Sequence, residues 1–233
     1  MKILVANWKQ NMNLAEVEKW LSDFAPLAES LPAGTEENIK VILCPSHPYL
    51  PAVAAFVQKY PWLVAGSQDI SQYPSGTHTG EVGALQAADF AKYCIVGHSE
   101  RGESDEVVQL KINEAHAADL IPIVCFVQPE RLSALNLDEE AGEVVLLWED
   151  PGNISHGGVF TPKPSQEIAE GTAKIKQDHH ITSPFIYGGS INRQNAYELA
   201  NIPGLDGGIA GGASLDPKHL FEIIQAFAKP TSK

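Results

Sequence analysis

Tyr93-Cys94-Ile95-Val96-Gly97-His98-Ser99-Glu100-Arg101 changes character at a single point. Its first four residues are apolar, and an apolar run without alternation suits a strand buried on both faces, as in a parallel sheet. Gly97 breaks the run and a polar stretch begins at His98. Ser104-Asp105-Glu106 then sets acid at the head of an amphipathic segment, where a helix N-terminus favours it. The unit is strand, polar loop, helix.

Outward from this stretch the unit recurs. Strands are expected at Lys2 to Asn7, Lys40 to Cys44, Trp62 to Ser67, Lys92 to Gly97, Pro122 to Val127, Glu143 to Trp148, Pro184 to Tyr187 and Asp206 to Ala210. Helical patterns lie between them. Leu14, Val17, Leu21, Phe24 and Ala28 would line one face of the first helix, and Leu220, Ile223, Ile224 and Phe227 one face of the last. Asn13 with Glu16 reads as a capping box, and Asp216-Pro217 as a cap followed by a first-turn proline. Only the fifth crossover is abbreviated, with a short helix around Glu130 to Leu135.

Strand–helix repeats suit either a closed barrel or a doubly wound open sheet, and periodicity does not separate them. No Gly-x-Gly-x-x-Gly follows the first strand, where an open dinucleotide-binding sheet would carry one; Asn7-Trp8-Lys9 stands there instead. Polar residues follow strands one, four, six, seven and eight, which favours a barrel whose C-terminal mouth gathers loops from many strands. The expected fold is a parallel eight-stranded (β/α)8 barrel with a shortened fifth helix, forming one domain over residues 1–233.

Composition narrows the function classes. Hydrophobic residues make up 44% and charged residues 19%, the balance of a soluble globular chain. The apolar runs are strand-sized, too short to cross a bilayer, and the run from Ile3 to Ala6 is too short for a secretion signal. Cys44, Cys94 and Cys125 sit in apolar runs without metal or redox spacing, so buried reduced thiols and a cytoplasmic location are expected. The histidines form no metal-ligand pattern, no metal or cofactor is assigned, and the His179-His180 doublet reads as surface. A formal net charge of −13 argues against nucleic acid and anionic membranes as partners. An anionic substrate would therefore need a locally reversed field, from a placed lysine and backbone N–H groups.

Taken singly, the polar residues at the strand ends are weak signals. A histidine such as His98 at a strand end is more often a hydrogen-bonded surface group, although a nearby helix N-terminus favours its neutral form. Glu149 follows a buried strand beside Trp148, whose bulk would strip water from the carboxylate and sharpen it as a base; alone, it reads as a solvated loop glutamate. Lys9 alone reads as a surface lysine. Gly188-Gly189-Ser190 and Gly211-Gly212 alone are turn glycines, yet glycine pairs before helices also let N–H groups meet a phosphate, and barrels often bind phosphate after their last two strands. The arrangement carries the argument: lysine, histidine, glutamate and two glycine pairs each end a different strand.

These motifs together resemble the triosephosphate isomerase family, from Ala6 to Leu215 and in the family's order. The resemblance rests on Asn7-Trp8-Lys9, Ser67-Gln68-Asp69, Thr79-Gly80-Glu81-Val82, Gly97-His98-Ser99-Glu100-Arg101, Tyr187-Gly188-Gly189-Ser190 and Gly211-Gly212-Ala213-Ser214-Leu215. It implies the TIM barrel fold and a cofactor-free isomerase of glycolysis and gluconeogenesis, interconverting dihydroxyacetone phosphate and glyceraldehyde 3-phosphate through an enediolate. By the same resemblance Glu149 would be the base and His98 the electrophile, with Asn7 and Lys9 assisting at the substrate and Ser99 and Glu100 supporting them. Ser190, Gly211, Gly212 and, in the lid, Ser155 would donate to phosphate. The loop Gln72 to Glu81 would insert into a second copy, implying a homodimer.

The chain departs from the family in two loops. After Glu149 it reads Asp150-Pro151-Gly152-Asn153-Ile154-Ser155-His156-Gly157-Gly158, without the lid tryptophan and the Gly-Thr-Gly ending. After Arg101 it passes straight to Gly102-Glu103, skipping a second arginine and several residues. Two rival functions compete: a barrel enzyme for larger sugar phosphates, which leaves His98, Asn7 and Lys9 unexplained, and a weakened isomerase-like barrel that only binds sugar phosphates, favoured by the altered lid alone.

Overall fold

Alternation along the strands fixes which side chains face inward. A computed structural model of the chain describes residues 1–137, 142–150 and 163–229. In β1 (Lys2–Asn7), Ile3 and Val5 point into one apolar cluster while Leu4 and Ala6 point into another. β2 (Ile39–Cys44) repeats this with Ile42 and Cys44 inside and Val41 and Leu43 outside. The inner cluster also takes Ile95 of β4 (Tyr93–Val96), Ile123 and Cys125 of β5 (Ile121–Phe126), and Val145 and Leu147 of β6 (Val145–Glu149). With β3 (Leu63–Ser67), β7 (Phe185–Gly188) and β8 (Gly207–Ala210), the strands pair in parallel and in sequence order.

The order closes on itself. Ile3 registers with Gly207 and Ala6 with Ala210, so β8 pairs with β1 and the sheet is a barrel. Gly207 is required at that seam, because a Cβ there would stand 1.7 Å from the carbonyl oxygen of Ile3. The observed strands match the expected ones within one or two residues. Glu149 is the largest functional difference: it belongs to β6 as its last residue and does not open the following loop.

The helices cover the outside. They are α1 (Leu14–Glu29), α2 (Leu50–Val57), α3 (Ala84–Ala88), α4 (Asp105–Ala117), α5 (Glu130–Ala134), α6 (Ser165–Asp178), α7 (Ala196–Ala200) and α8 (Pro217–Ala228). α1 begins at the expected capping box, with the Asn13 side chain accepting from the Glu16 N–H and the Glu16 carboxylate accepting from the Asn13 N–H. It buries Val17, Trp20, Leu21, Phe24 and Ala28. Leu14, in the first turn, is half exposed, and Trp20, outside the expected set, is buried. α8 buries Leu220, Ile223, Ile224 and Phe227 as expected, behind an Asp216 cap that accepts from the His219 N–H. Burying each such large side chain contributes roughly 1.5–3 kcal/mol. The fifth crossover is short: α5 has 5 residues.

Candidate active site

The inward alternation that builds the core continues past it at the C-terminal ends of the strands. After Ile3 and Val5 the next inward residue of β1 is Asn7, and after Val145 and Leu147 the next of β6 is Glu149. Both are polar and both are buried, at 5% and 3% exposure. They meet in an open cavity lined by Asn7, Lys9, His98, Glu149, Gly188, Gly189, Ser190, Ile191, Ile209, Gly211 and Gly212. Seven of the expected residues thus share one cavity, counting Asn7, Lys9, His98, Glu149, Ser190, Gly211 and Gly212. Ser99 and Glu100 stand directly behind it. Ser155 lies outside the described residues.

Glu149 is not the solvated loop carboxylate of the single-residue reading. Ser99 donates to both its oxygens: the hydroxyl to Oε1 and the backbone N–H to Oε2, each at 2.8 Å. His98 Nε2 lies 3.4 Å from Oε1. The expected desolvation by Trp148 is corrected, because adjacent strand residues face opposite ways. The indole points outward, edge-on to Tyr187 at 5.6 Å, and packs so tightly on α6 that a Cβ at Gly171 would stand 2.5 Å from it. The barrel interior and the Ser99 hydrogen bonds surround the carboxylate instead.

His98 presents one nitrogen to the cavity because the other is occupied. Its Nδ1 accepts the Glu100 backbone N–H at 3.2 Å. A nitrogen that accepts carries no proton, so the ring is neutral, with its hydrogen on Nε2 facing Glu149. The donor comes from the single 3₁₀ turn Ser99–Arg101, and α4 starts only at Asp105.

Lys9 is held in an uncommon backbone conformation, with φ of 50° in a residue other than glycine. Three polar contacts fix it. Asn7 Oδ1 accepts the Lys9 N–H at 2.9 Å, and the Lys9 carbonyl accepts from Ser46 Oγ at 2.9 Å and Gln68 Nε2 at 3.0 Å. The ammonium pairs with Glu100 at 2.7 Å. Along its path the lysine chain runs past the end of the neighbouring β8, where a Cβ at Gly211 would be 3.4 Å from Lys9 Cε. A positive charge therefore stands beside the glycine turn, the local field reversal that an anionic ligand requires in a chain of net charge −13.

The cavity wall there is made of backbone. Gly211 and Gly212 lead into the 3₁₀ turn Gly212–Leu215, as a glycine pair before a helix should. The other pair differs from expectation: α7 begins only at Ala196, and Ser190, at φ 46°, turns the chain after Gly189. Gly189 must stay small, since a Cβ there would stand 2.3 Å from the Tyr187 hydroxyl. Burial pushes the Tyr187 phenol up, with the Asp150 charge adding to it.

Sequence reasoning missed two features. Ile209 and Ile191 form an apolar part of the lining, and only knowledge of barrel closure could have placed them there. Lys163 pairs with the buried Asp150 at 2.6 Å and stands 5.9 Å over the Trp148 ring. Partners thirteen residues apart carry no local signal. Among the described residues no group of three or more His, Cys, Asp or Glu is placed to hold a metal ion. No helix among them is long and apolar enough to cross a membrane.

A carboxylate, an imidazole donor and an ammonium around one cavity can move a proton beside a carbonyl and hold the oxyanion that results. With the closed parallel barrel, this defines an isomerase of the (β/α)8 class. Residues 2–227 match the triosephosphate isomerase family. The chain belongs to that family, and its activity is an intramolecular aldose–ketose isomerisation, a step of glycolysis. It is 35% identical to triosephosphate isomerase of Alkalilimnicola ehrlichii, with 98% of each chain covered. It is 32% identical to that of Polynucleobacter asymbioticus, over 96% of this chain and 98% of the other. The fold is also that of the crystal structure of triosephosphate isomerase from Bartonella henselae, at a TM-score of 0.77 and 23% identity over 98% of this chain and 99% of that one.

Proposed function

We propose that the chain interconverts dihydroxyacetone phosphate and glyceraldehyde 3-phosphate through an enediolate, with Glu149 as the base that carries the proton between C1 and C2. His98 Nε2–H and the Asn7 side chain face the developing oxyanion, and Lys9 balances its charge. A glutamate base paired with a neutral histidine is already familiar for this enzyme family. The observation that carries the reading is the single cavity lined together by Asn7, Lys9, His98, Glu149, Ser190, Gly211 and Gly212. The glycine wall and Ser190 take the phosphate; this leaves the carbonyl end against His98. Ser99 donates to both oxygens of Glu149 and so orients the carboxylate for proton transfer. Ser99 thus acts as the holder of the resting base, and Glu100 as the partner of Lys9 and of His98 Nδ1.

No metal or cofactor enters this scheme, since the ammonium and the imidazole supply the electrophiles. The cytoplasm is the proposed location, supported by Cys44, Cys94 and Cys125, all buried and unpaired as reduced thiols would be. A single domain over residues 1–233 is supported by a barrel that runs from Lys2 to Ala210, with α8 packed on its first strands. A homodimer is proposed through the loop Gln72 to Glu81, which has no regular secondary structure and stacks Tyr73 on His78 at 4.2 Å.

Glu149→Gln tests the scheme. It keeps the shape and removes the base, so kcat/KM should fall by about 10²–10⁴-fold with thermal stability nearly unchanged. Near-wild-type turnover in that variant would put the base elsewhere.

A further inference from the structure

α5 contributes little to the core, with Leu132 as its buried residue, yet it carries a side chain with four well-placed partners. Arg131 Nε donates to Asp105 Oδ1 at 2.6 Å, and Nη2 donates to the Glu103 carbonyl at 2.7 Å. Nη1 donates to the carbonyls of Gly97 and Cys125, at 3.2 and 3.3 Å. One guanidinium thereby joins the ends of β4 and β5 to the start of α4.

Gly97 is held from both sides. Its carbonyl takes Arg131, and its N–H donates to Glu103 Oε2 at 3.2 Å. It has φ of 74°, and a Cβ would stand 2.9 Å from Val108 and 3.2 Å from Arg131 Nη1. His98 and Ser99 follow it directly in the chain. We infer that Arg131 is a positioning residue for the isomerisation: it fixes the Gly97–His98 peptide and so sets the aim of the His98 ring and the Ser99 grip on Glu149. This rests on the roles proposed above for His98 and Glu149. The short fifth crossover then has a reason, since it delivers a planar fork to a spot where backbone carbonyls converge. Lysine is no substitute, because one ammonium on a flexible stem does not match that planar array.

Arg131→Met tests the inference. A misplacement of the order of 1 Å costs on the order of 10²-fold in rate, so kcat should fall by at least about tenfold. KM should hold within about twofold, because the phosphate wall is untouched. In Arg131→Ala, millimolar guanidinium ion should restore part of kcat, and it should leave the wild type unaffected. Nitrogen NMR of the His98 ring should lose the single accepting-Nδ1 signature. A folded Arg131→Met with wild-type kcat and only a lowered melting temperature would overturn the inference. If Arg131→Met does not fold, Arg131→Lys decides: a kcat loss of at least about tenfold in the folded variant supports the inference, and a smaller loss or full activity overturns it. His98→Gln, measured alongside, separates the two readings. Full activity there undoes the histidine's role itself; impaired His98→Gln beside an unimpaired Arg131→Met undoes only the positioning.

Discussion

Lys111 is a lysine that solvent scarcely reaches, held by Asp69 at 2.5 Å and Glu103 at 2.6 Å, and Arg101 reaches the same two carboxylates. Burial works to raise the Glu103 carboxyl, but the Lys111 and Arg101 charges together outweigh it and hold the group below the usual carboxylate range. A depressed native value means that stability is present above the unfolded value, near 4.3, and is lost as pH falls through the native one. Glu103→Gln should therefore be less stable than wild type at pH 7, and the gap should narrow at about pH 3. Denaturant melts at the two pH values check it; a gap that does not change with pH would contradict the ion pairing. Single residues were partly legible in the sequence. His98, Glu149, Asn7 and Lys9 are legible because each lies at or just past the C-terminal end of a strand. The Trp148 effect was misread, since adjacency in sequence puts side chains on opposite faces of a strand. The contacts of Arg131, Lys111 and Lys163 carried no signal, as their partners are brought together only by the barrel.

Helices and strands were read more fully. The strands are continuous apolar runs because helices cover one face and the barrel core the other, and their ends fall within a residue or two of expectation. The expected sixth strand stops at Trp148, one residue short of Glu149, which closes β6. Spacing puts Leu14 on the α1 stripe, yet its side chain is half exposed. The α1 cap was legible because its chemistry is local. Asn13→Ala should lose the half of the capping box in which the Asn13 side chain accepts from the Glu16 N–H, and cost about 1 kcal/mol. That corresponds to a melting temperature lower by roughly 2–4 °C in a chain of this size. No shift would mean that solvent satisfies the α1 N-terminus equally well.

At the scale of the molecule, closure was inferred from where the polar residues fall, since strand–helix periodicity serves an open sheet equally well. The barrel explains the site: it brings five strand ends, far apart in sequence, around one cavity. The same geometry leaves Tyr73 and the loop around it exposed on one flank, the surface on which the proposed dimer depends. Light scattering at micromolar protein should give twice the chain mass of 25.2 kDa, and a monomer mass would rule the dimer out. The most direct test of the whole account is a coupled assay of the purified, unmodified chain with glyceraldehyde 3-phosphate and a chelator, following dihydroxyacetone phosphate. Sustained turnover without added metal or cofactor is the predicted result, and no turnover from well-folded protein would contradict it.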